Sequence, residues 1–330
     1  MTVGLVVVTY NAEGFIRRTL DAVAAQTRPP DEIAIVDNAS TDGTWAMLEH
    51  ATRAWVMPVC LVAAGENLGF AAANNRAVAR LEACELVALL NPDAVPAPGW
   101  LAALVAAAEA HPEAAAFASR LMIDGRPGLL DGAGDVCHVS GLVWRHGHGL
   151  PLTAVPDATR SRPVFAACAA AALYRRPDWV RAGGLDERFF CYGEDVDLGF
   201  RLQLAGRGCW YVADAVADHV GSASAGVGSD FAVYHGHRNV EWLFVKNMPA
   251  ALLWRYLPLH LLVWVVGMAW FATRGRGTSF MKAKWDALKG MGMAWRARRT
   301  VQASRVRANA QVLGLLDRTS LVTRFRDRRT

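Results

Sequence analysis

A few side chains in this sequence are of types, and at spacings, that can do chemistry. Asp93 closes the turn Asn91-Pro92-Asp93 directly after an apolar run, so its carboxylate is expected at the end of a strand in a backbone stiffened by proline. Mg²⁺ and Mn²⁺ take oxygen ligands and often use only one or two protein carboxylates beside substrate phosphates, which is the chemistry open to Asp93. A second cluster, Glu194-Asp195-Val196-Asp197, opens a predicted amphipathic helix that runs through Arg201 and Leu204. Acids in a first turn complement the helix dipole, and that alone accounts for Asp197. It leaves unexplained the aromatic residues Phe189, Phe190 and Tyr192 just ahead of the cluster. An aromatic wall there would exclude water, raise a carboxylate pKa towards that of a useful base, and offer stacking faces to a sugar ring. His219, in Asp218-His219-Val220-Gly221-Ser222, follows a predicted strand at 209–212 and reads either as a satisfied histidine or as a metal ligand.

The elements that must position these groups follow from the patterning. Short β-rich apolar runs at 3–9, 33–37, 59–63 and 86–91 alternate with helical patterns at 13–26, 44–53, 71–81 and 100–110. Such alternation predicts βαβ units and a doubly wound, mainly parallel sheet whose ligand crevice lies beyond the carboxyl ends of its strands. Polar residues stand at each of those ends: Thr9, Tyr10 and Asn11; Asp37, Asn38 and Ser40; Glu66 and Asn67; Asn91 and Asp93. Any one set reads as a cap or a turn. Four in register on one sheet edge mark a binding crevice. Beyond residue 110 the sequence predicts a Gly-rich irregular stretch at 124–149 and leaves 165–174 open between strand and helix.

With 330 residues, 53% hydrophobic and 20% charged, the chain can bury a large core. Six scattered cysteines without a CxxC pair read as reduced thiols rather than as a zinc site or disulfide framework, and the N-terminal run reads as a strand rather than a leader. Both point to the cytoplasm. The net charge of +5 is uneven: residues 274–330 hold 15 Lys and Arg against 3 Asp and Glu, a balance of +12, which leaves residues 1–273 at −7. Ahead of that basic tail, the stretch 257–271 is apolar apart from His260, and Arg255 interrupts the longer apolar stretch that begins at Met248. About 20 apolar residues are needed to span a bilayer. With Trp242, Trp254, Trp264 and Trp270 nearby, the expectation is a helix lying on the cytoplasmic face of a membrane, a dimerisation helix or a spanning anchor being the alternatives. Nothing in the chain resembles a nucleic-acid-binding module, so no nucleic-acid partner is expected.

In order along the chain, Val7-Val8-Thr9-Tyr10-Asn11, Val36-Asp37-Asn38-Ala39-Ser40-Thr41-Asp42-Gly43, Asn67-Leu68-Gly69-Phe70, Leu90-Asn91-Pro92-Asp93 and Gly183-Gly184-Leu185-Asp186-Glu187-Arg188-Phe189-Phe190-Cys191-Tyr192-Gly193-Glu194-Asp195-Val196-Asp197-Leu198 form an ordered set. Together they resemble the inverting family 2 glycosyltransferases of GT-A fold, particularly the rhamnosyl- and related transferases of bacterial surface polysaccharides, over roughly residues 1–240. The resemblance implies a GT-A catalytic domain at 1–228 and a helical, membrane-apposed region at 229–330. It also implies Mg²⁺- or Mn²⁺-dependent transfer of a sugar, rhamnose among the candidates, from a dTDP or UDP donor to a hydroxyl of a glycan or lipid-linked acceptor. A single displacement inverts the anomeric centre.

The roles it implies are residue by residue. Asp37 would bind the pyrimidine, with Thr9, Tyr10, Asn11, Asn67 and Asn91 lining the nucleotide-sugar site. Asp93 would be the last acid of the metal motif, and His219 would complete the metal and diphosphate environment. Asp195 would deprotonate the acceptor, supported by Glu194. The chain departs from the family in having Asn91-Pro92-Asp93 where two acids flank one residue, and Cys168-Ala169-Ala170 where many relatives carry a Gly-Ala acceptor segment. A nucleotidyltransferase or dehydrogenase would need a Gly-rich loop after the first strand, which Thr9-Tyr10-Asn11-Ala12-Glu13-Gly14 lacks. A processive synthase would need several spans. A catalytically inactive nucleotide-sugar-binding protein is the remaining alternative.

Overall fold

A computed structural model describes residues 1–53, 55–221 and 228–321. Ser222 and the tail residues 322–330 therefore lie outside the described residues. The strands are β1 (Val3–Thr9), β2 (Glu32–Asp37), β3 (Val59–Ala63), β4 (Leu86–Leu90), β5 (Ala94–Pro96), β6 (Ala114–Ile123), β7 (Leu130–Ala133), β8 (Asp135–Cys137), β9 (Val143–Arg145), β10 (Arg162–Val164), β11 (Ala171–Arg175) and β12 (Gly208–His219). The helices are α1 (Ile16–Ala24), α2 (Thr44–Thr52), α3 (Gly69–Val78), α4 (Trp100–Ala110), α5 (Arg176–Ala182), α6 (Glu194–Leu204), α7 (Asp230–Asn247), α8 (Ala250–Ala272), α9 (Gly277–Lys289), α10 (Met291–Ala303) and α11 (Asn309–Leu315).

The main sheet runs β10-β12-β6-β11-β4-β1-β2-β3, with β5 added to β12 and β7 to β6. Strands β4, β1, β2 and β3 are mutually parallel, as their βαβ connections require. Every residue of β1 and β4 is buried, because helices cover both faces. Leu5 and Val7 point to the layer of α1, α2 and α4, while Val6 and Val8 point to that of α3, α5 and α6. The segment left open at 165–174 ends in β11, antiparallel to both β4 and β6.

The expectation of an irregular stretch at 124–149 is corrected: it contains β7, β8 and β9. Each is only three or four residues long, too short for period-2 alternation to show through the glycines. Gly132 lies so close to Arg145 that a Cβ would come within 3.0 Å of the Arg145 side chain.

The C-terminal helices share a hydrophobic core with α6: Phe189, Phe200 and Leu204 pack with Trp242 and Phe244 of α7, Leu252 of α8, Ala287 of α9 and Val301 of α10. Polar groups cross the same seam. Asp197, fully buried, accepts hydrogen bonds from Arg201 Nε at 2.9 Å, Lys246 Nζ at 2.8 Å and Asn247 Nδ2 at 2.7 Å. Burial alone would push its carboxyl up, but Lys246 and Arg201 outweigh it and hold it below the usual carboxylate range. Asp197 is thus a buried ion-pair centre, which the helix dipole did not foretell.

The apolar segment forms one 23-residue helix, α8, which runs through Arg255 because a helix is bounded by its backbone hydrogen bonds and not by its apolar run. It is about 35 Å long at 1.5 Å per residue. That is long and apolar enough to cross a membrane, with only 17% of its most apolar window buried in the fold. His260 faces inward, meeting Ser140 O and Glu241 Oε2 at 2.7 Å each and stacking on Phe244. Trp254, Leu262, Val266 and Trp270 face outward.

Asp197→Ala leaves Asn247 without its acceptor and two buried cations short of a counter-charge. It should destabilise the fold by about 3–5 kcal/mol in a denaturant titration. An unchanged midpoint would show that the seam does not depend on this carboxylate.

Candidate active site

At the carboxyl ends of β1 to β3 the polar residues interlock. The parallel register sets Thr9 beside Asp37. Asp37, 4% exposed, accepts from Thr9 Oγ1 at 2.8 Å, Ser40 Oγ at 2.6 Å and Ser40 N at 3.0 Å. A carboxylate has about four acceptor sites, so one is left on Oδ2 for a ligand donor such as a pyrimidine N–H. Asn11 and Ala39 hold left-handed φ of 48° and 64°, uncommon outside glycine. The Asn11 N–H donates to Ser40 Oγ at 2.9 Å and the Thr41 N–H to Asn11 Oδ1 at 2.8 Å, which fixes the two turns against each other. Asn38 Nδ2 donates to Asn67 Oδ1 at 2.8 Å, drawing in the end of β3, and Tyr10 is 39% exposed beside this edge.

Asp93 and His219 arrive from different directions. β5 pairs antiparallel with the end of β12, His219 opposite Ala94, and this register places His219 Nε2 3.4 Å from Asp93 Oδ1. Both side chains are buried. His219 Nδ1 meets Asp131 Oδ2 at 2.7 Å, whereas Nε2 has no hydrogen bond of good geometry among the described residues. A buried imidazole with a carboxylate behind one nitrogen and a second carboxylate 3.4 Å from the other has, once that second nitrogen is deprotonated, the donor set of a divalent-cation site. Burial lowers the His219 pKa, and Asp131 and Asp93 outweigh it to raise it. Burial likewise pushes Asp131 up, but His148, His219 and Arg145 hold it far below the carboxylate range. Asn91 donates its N–H to Ala170 O at 2.8 Å, joining β4 to the segment before β11.

The third part lies at the start of α6. Asp195 Oδ2 accepts from Ala169 N at 3.1 Å and Oδ1 from Val196 N at 2.8 Å. Burial raises its pKa despite these bonds. Glu194, buried and with Oε2 unpartnered, is pushed well up by burial and then by Asp195. Phe189 is not part of a wall before these acids. It is buried in the α6–α7 core, because the backbone reverses at Phe190 and Tyr192, both with positive φ. Phe190 closes over Gly69, where a Cβ would fall 2.4 Å from its ring.

Sequence reasoning missed the residues that join the parts. Asp135 Oδ, Cys168 Sγ and an Asp195 oxygen lie within 4.8 Å of one another. Asp135 pairs with Arg145 across β8 and β9, and Arg145 hydrogen-bonds Asp131. Burial, then Asp195, pushes the Asp135 carboxyl well up. Arg145 and a thiol make this cluster a poor host for Mg²⁺ or Mn²⁺. Its one trace in the sequence is the pair of acids among glycines, Asp131-Gly132-Ala133-Gly134-Asp135.

Residues 5–177 match the family model described as "Glycosyl transferase family 2". The chain is 32% identical over 257 residues to the N-acetylglucosaminyl-diphospho-decaprenol L-rhamnosyltransferase of Mycobacterium tuberculosis, covering 70% of this chain and 80% of that protein. It is similar in fold to the mannosyltransferase PcManGT of Pyrobaculum calidifontis, solved with GDP-Man and Mn²⁺, at TM-score 0.55 and 20% identity over 94% of this chain and 86% of that one. Likewise it is similar to GalNAc-T7, solved with UDP, GalNAc and Mn²⁺, at TM-score 0.61 and 17% identity over 74% of this chain and 48% of that one.

If Asp195 is the general base, Asp195→Asn should cut turnover about 10²–10⁴-fold with nucleotide affinity retained. In the wild type the rate should fall with acidification along a limb set above the ordinary carboxylate pKa of about 3.9, since the base must be ionised and its pKa is raised. An Asn variant with near wild-type turnover would remove Asp195 from the chemistry.

Proposed function

The chain belongs to glycosyl transferase family 2, and from that premise we propose that it moves a sugar, rhamnose first among the candidates, from a pyrimidine nucleoside diphosphate to a hydroxyl of a lipid-linked glycan in cell-surface polysaccharide synthesis. The observation that carries the metal-dependent form of this reading is the buried pair of His219 Nε2 and Asp93 Oδ1, 3.4 Å apart without a hydrogen bond of good geometry, on the same sheet edge as Asp37.

In this reading Asp37 offers its remaining acceptor site to the pyrimidine, and Thr9, Tyr10, Asn11, Asn67 and Asn91 shape the nucleotide-sugar site. Asp93 and His219 would hold Mg²⁺ or Mn²⁺, which when bound neutralises charge on the leaving diphosphate. Asp131 orients His219, and His148, His219 itself and Arg145 keep Asp131 ionised. Asp195 takes the acceptor's proton as its oxygen attacks the anomeric carbon, with Glu194 supporting the pair electrostatically. One in-line displacement inverts that centre.

The helices beyond residue 228 serve the acceptor side. A lipid-linked sugar is an insoluble substrate, and the M. tuberculosis relative is named for one. Exposed Trp254, Trp270, Trp285 and Trp295 and the basic residues from Arg274 onwards suit the inner, cytoplasmic face of a membrane. Because His260 binds Ser140 and Glu241, α8 is tied by one side to the catalytic body, which favours lying on the bilayer over crossing it. A second copy on the same face is the alternative occupant.

The test is turnover with dTDP-rhamnose, UDP-GlcNAc, UDP-glucose and GDP-mannose on a polyprenyl-diphosphate-linked GlcNAc acceptor, with Mn²⁺ and with chelator. One pyrimidine donor should be used, with activity lost in chelator, and Asp131→Asn should weaken metal affinity about 10–100-fold. Turnover unaffected by chelator would overturn the metal assignment, and no turnover with any donor in folded protein would overturn the transferase reading.

A further inference from the structure

The turn that carries Glu194 and Asp195 is strained, and its restraint comes from elsewhere in the chain. Phe190 and Tyr192 hold φ of 64° and 71°, sparsely populated for residues with a side chain, and Gly193 follows at 84°. Such a turn persists only if its surroundings over-determine it. The Gly193 carbonyl takes the first hydrogen bond of α6, from Asp197 N at 2.9 Å, whereas those of residues 189–192 belong to no helix or sheet ladder. Three of them converge on one side chain: Asn239 Nδ2 lies 3.0 Å from Phe189 O, 2.9 Å from Cys191 O and 2.7 Å from Tyr192 O. The Phe189 carbonyl also accepts from Arg238 Nη2 at 2.8 Å, and the Phe190 carbonyl from Ala71 N at 3.2 Å. Asn239 is 1% exposed, in mid-α7, and its own carbonyl accepts from Arg238 Nε at 3.0 Å.

We infer that Asn239 is a positioning residue for the reaction: its carboxamide holds the 189–193 turn in the reversed conformation from which Asp195 projects. The inference rests on Asp195 being the base. Only an amide fits the role. An amide nitrogen is uncharged and carries two donor hydrogens, so with one of them bifurcated it serves three carbonyls in a buried space. A carboxylate of the same shape would face those carbonyls with lone pairs, and alanine would take one donor group away from all three. Asn239 stands on α7, so the geometry of the base depends on a helix of the C-terminal region.

The experiment compares wild type with Asn239→Ala, Asn239→Asp, Asp195→Asn and the double variant Asn239→Ala/Asp195→Asn. It reads kcat, the pH profile, nucleotide affinity by calorimetry with UDP or dTDP and Mn²⁺, and amide hydrogen exchange. Misplacing a catalytic group by about 1 Å can cost about 10²-fold, and a kcat loss of that order is expected in Asn239→Ala and Asn239→Asp. Nucleotide affinity should not move, exchange should quicken at 189–193 alone, and the acid limb of kcat should shift. Added to Asp195→Asn, the Asn239→Ala change should cost little more, because both act through one group. Full multiplication of the two losses, or an Asn239→Asp protein with wild-type kcat and exchange, overturns the inference. If Asn239→Ala fails to fold, Asn239→Asp carries the same readouts. If Asp195→Asn keeps its turnover, the reading of the base fails instead, and the exchange data still report whether Asn239 holds the turn.

Discussion

A carboxylate sealed from water stays ionised only if the protein supplies its own cations and donors, and much of this structure is arranged around meeting that demand at Asp197. The donors come from two helices: Arg201 from α6, Lys246 and Asn247 from α7. Lys246 also reaches Asp186 at 2.6 Å, ahead of the reversed turn, so one ammonium ties both ends of the segment 186–197 to α7. Asp195 sits two residues from this anchor. The start of α6 therefore has its position set from beneath by charge and from the side by the carboxamide of Asn239.

A second set of buried charges links the two halves of the site. From Asp93 through His219 and Asp131 to Arg145 and Asp135, each group touches or pairs with the next until the chain reaches Asp195. The carboxyls along it are driven apart in acidity. Asp131, with two histidines and an arginine, is held ionised, whereas burial pushes Asp135, Glu194 and Asp195 up. Separating like groups by environment is how a site obtains a permanent charge in one place and a proton acceptor in another. Arg145 thus lies electrostatically between the two ends, acting on Asp131 and His219 at one and on Asp135 and Asp195 at the other.

The strand ends were legible because period and punctuation agreed there. β1 to β4 are fully apolar runs closed by Thr, Asp and Asn, and Thr9, Asn11, Asp37 and Asn67 do gather at one edge. His219 was legible as a ligand candidate but its partner was not, since Asp131 is 88 residues away in strands too short to show a pattern. Asp197 was misjudged for a related reason: a first-turn acid looks complete once the helix dipole is considered, and the cations that claim it lie on α7. In each case what could not be read was a contact between segments far apart in the chain.

In the proposed reaction one sheet edge would hold the nucleotide at Asp37 and the cation at Asp93 and His219, with the reacting hydroxyl at Asp195. A crystal structure with dTDP and Mn²⁺, with data collected at the manganese absorption edge, tests it most directly. The account predicts an anomalous peak bound by Asp93 Oδ1 and His219 Nε2, the pyrimidine N–H on Asp37, and the β-phosphate directed towards Asp195. A peak between Asp135, Cys168 and Asp195, or a nucleotide bound away from the ends of β1 and β2, would contradict it.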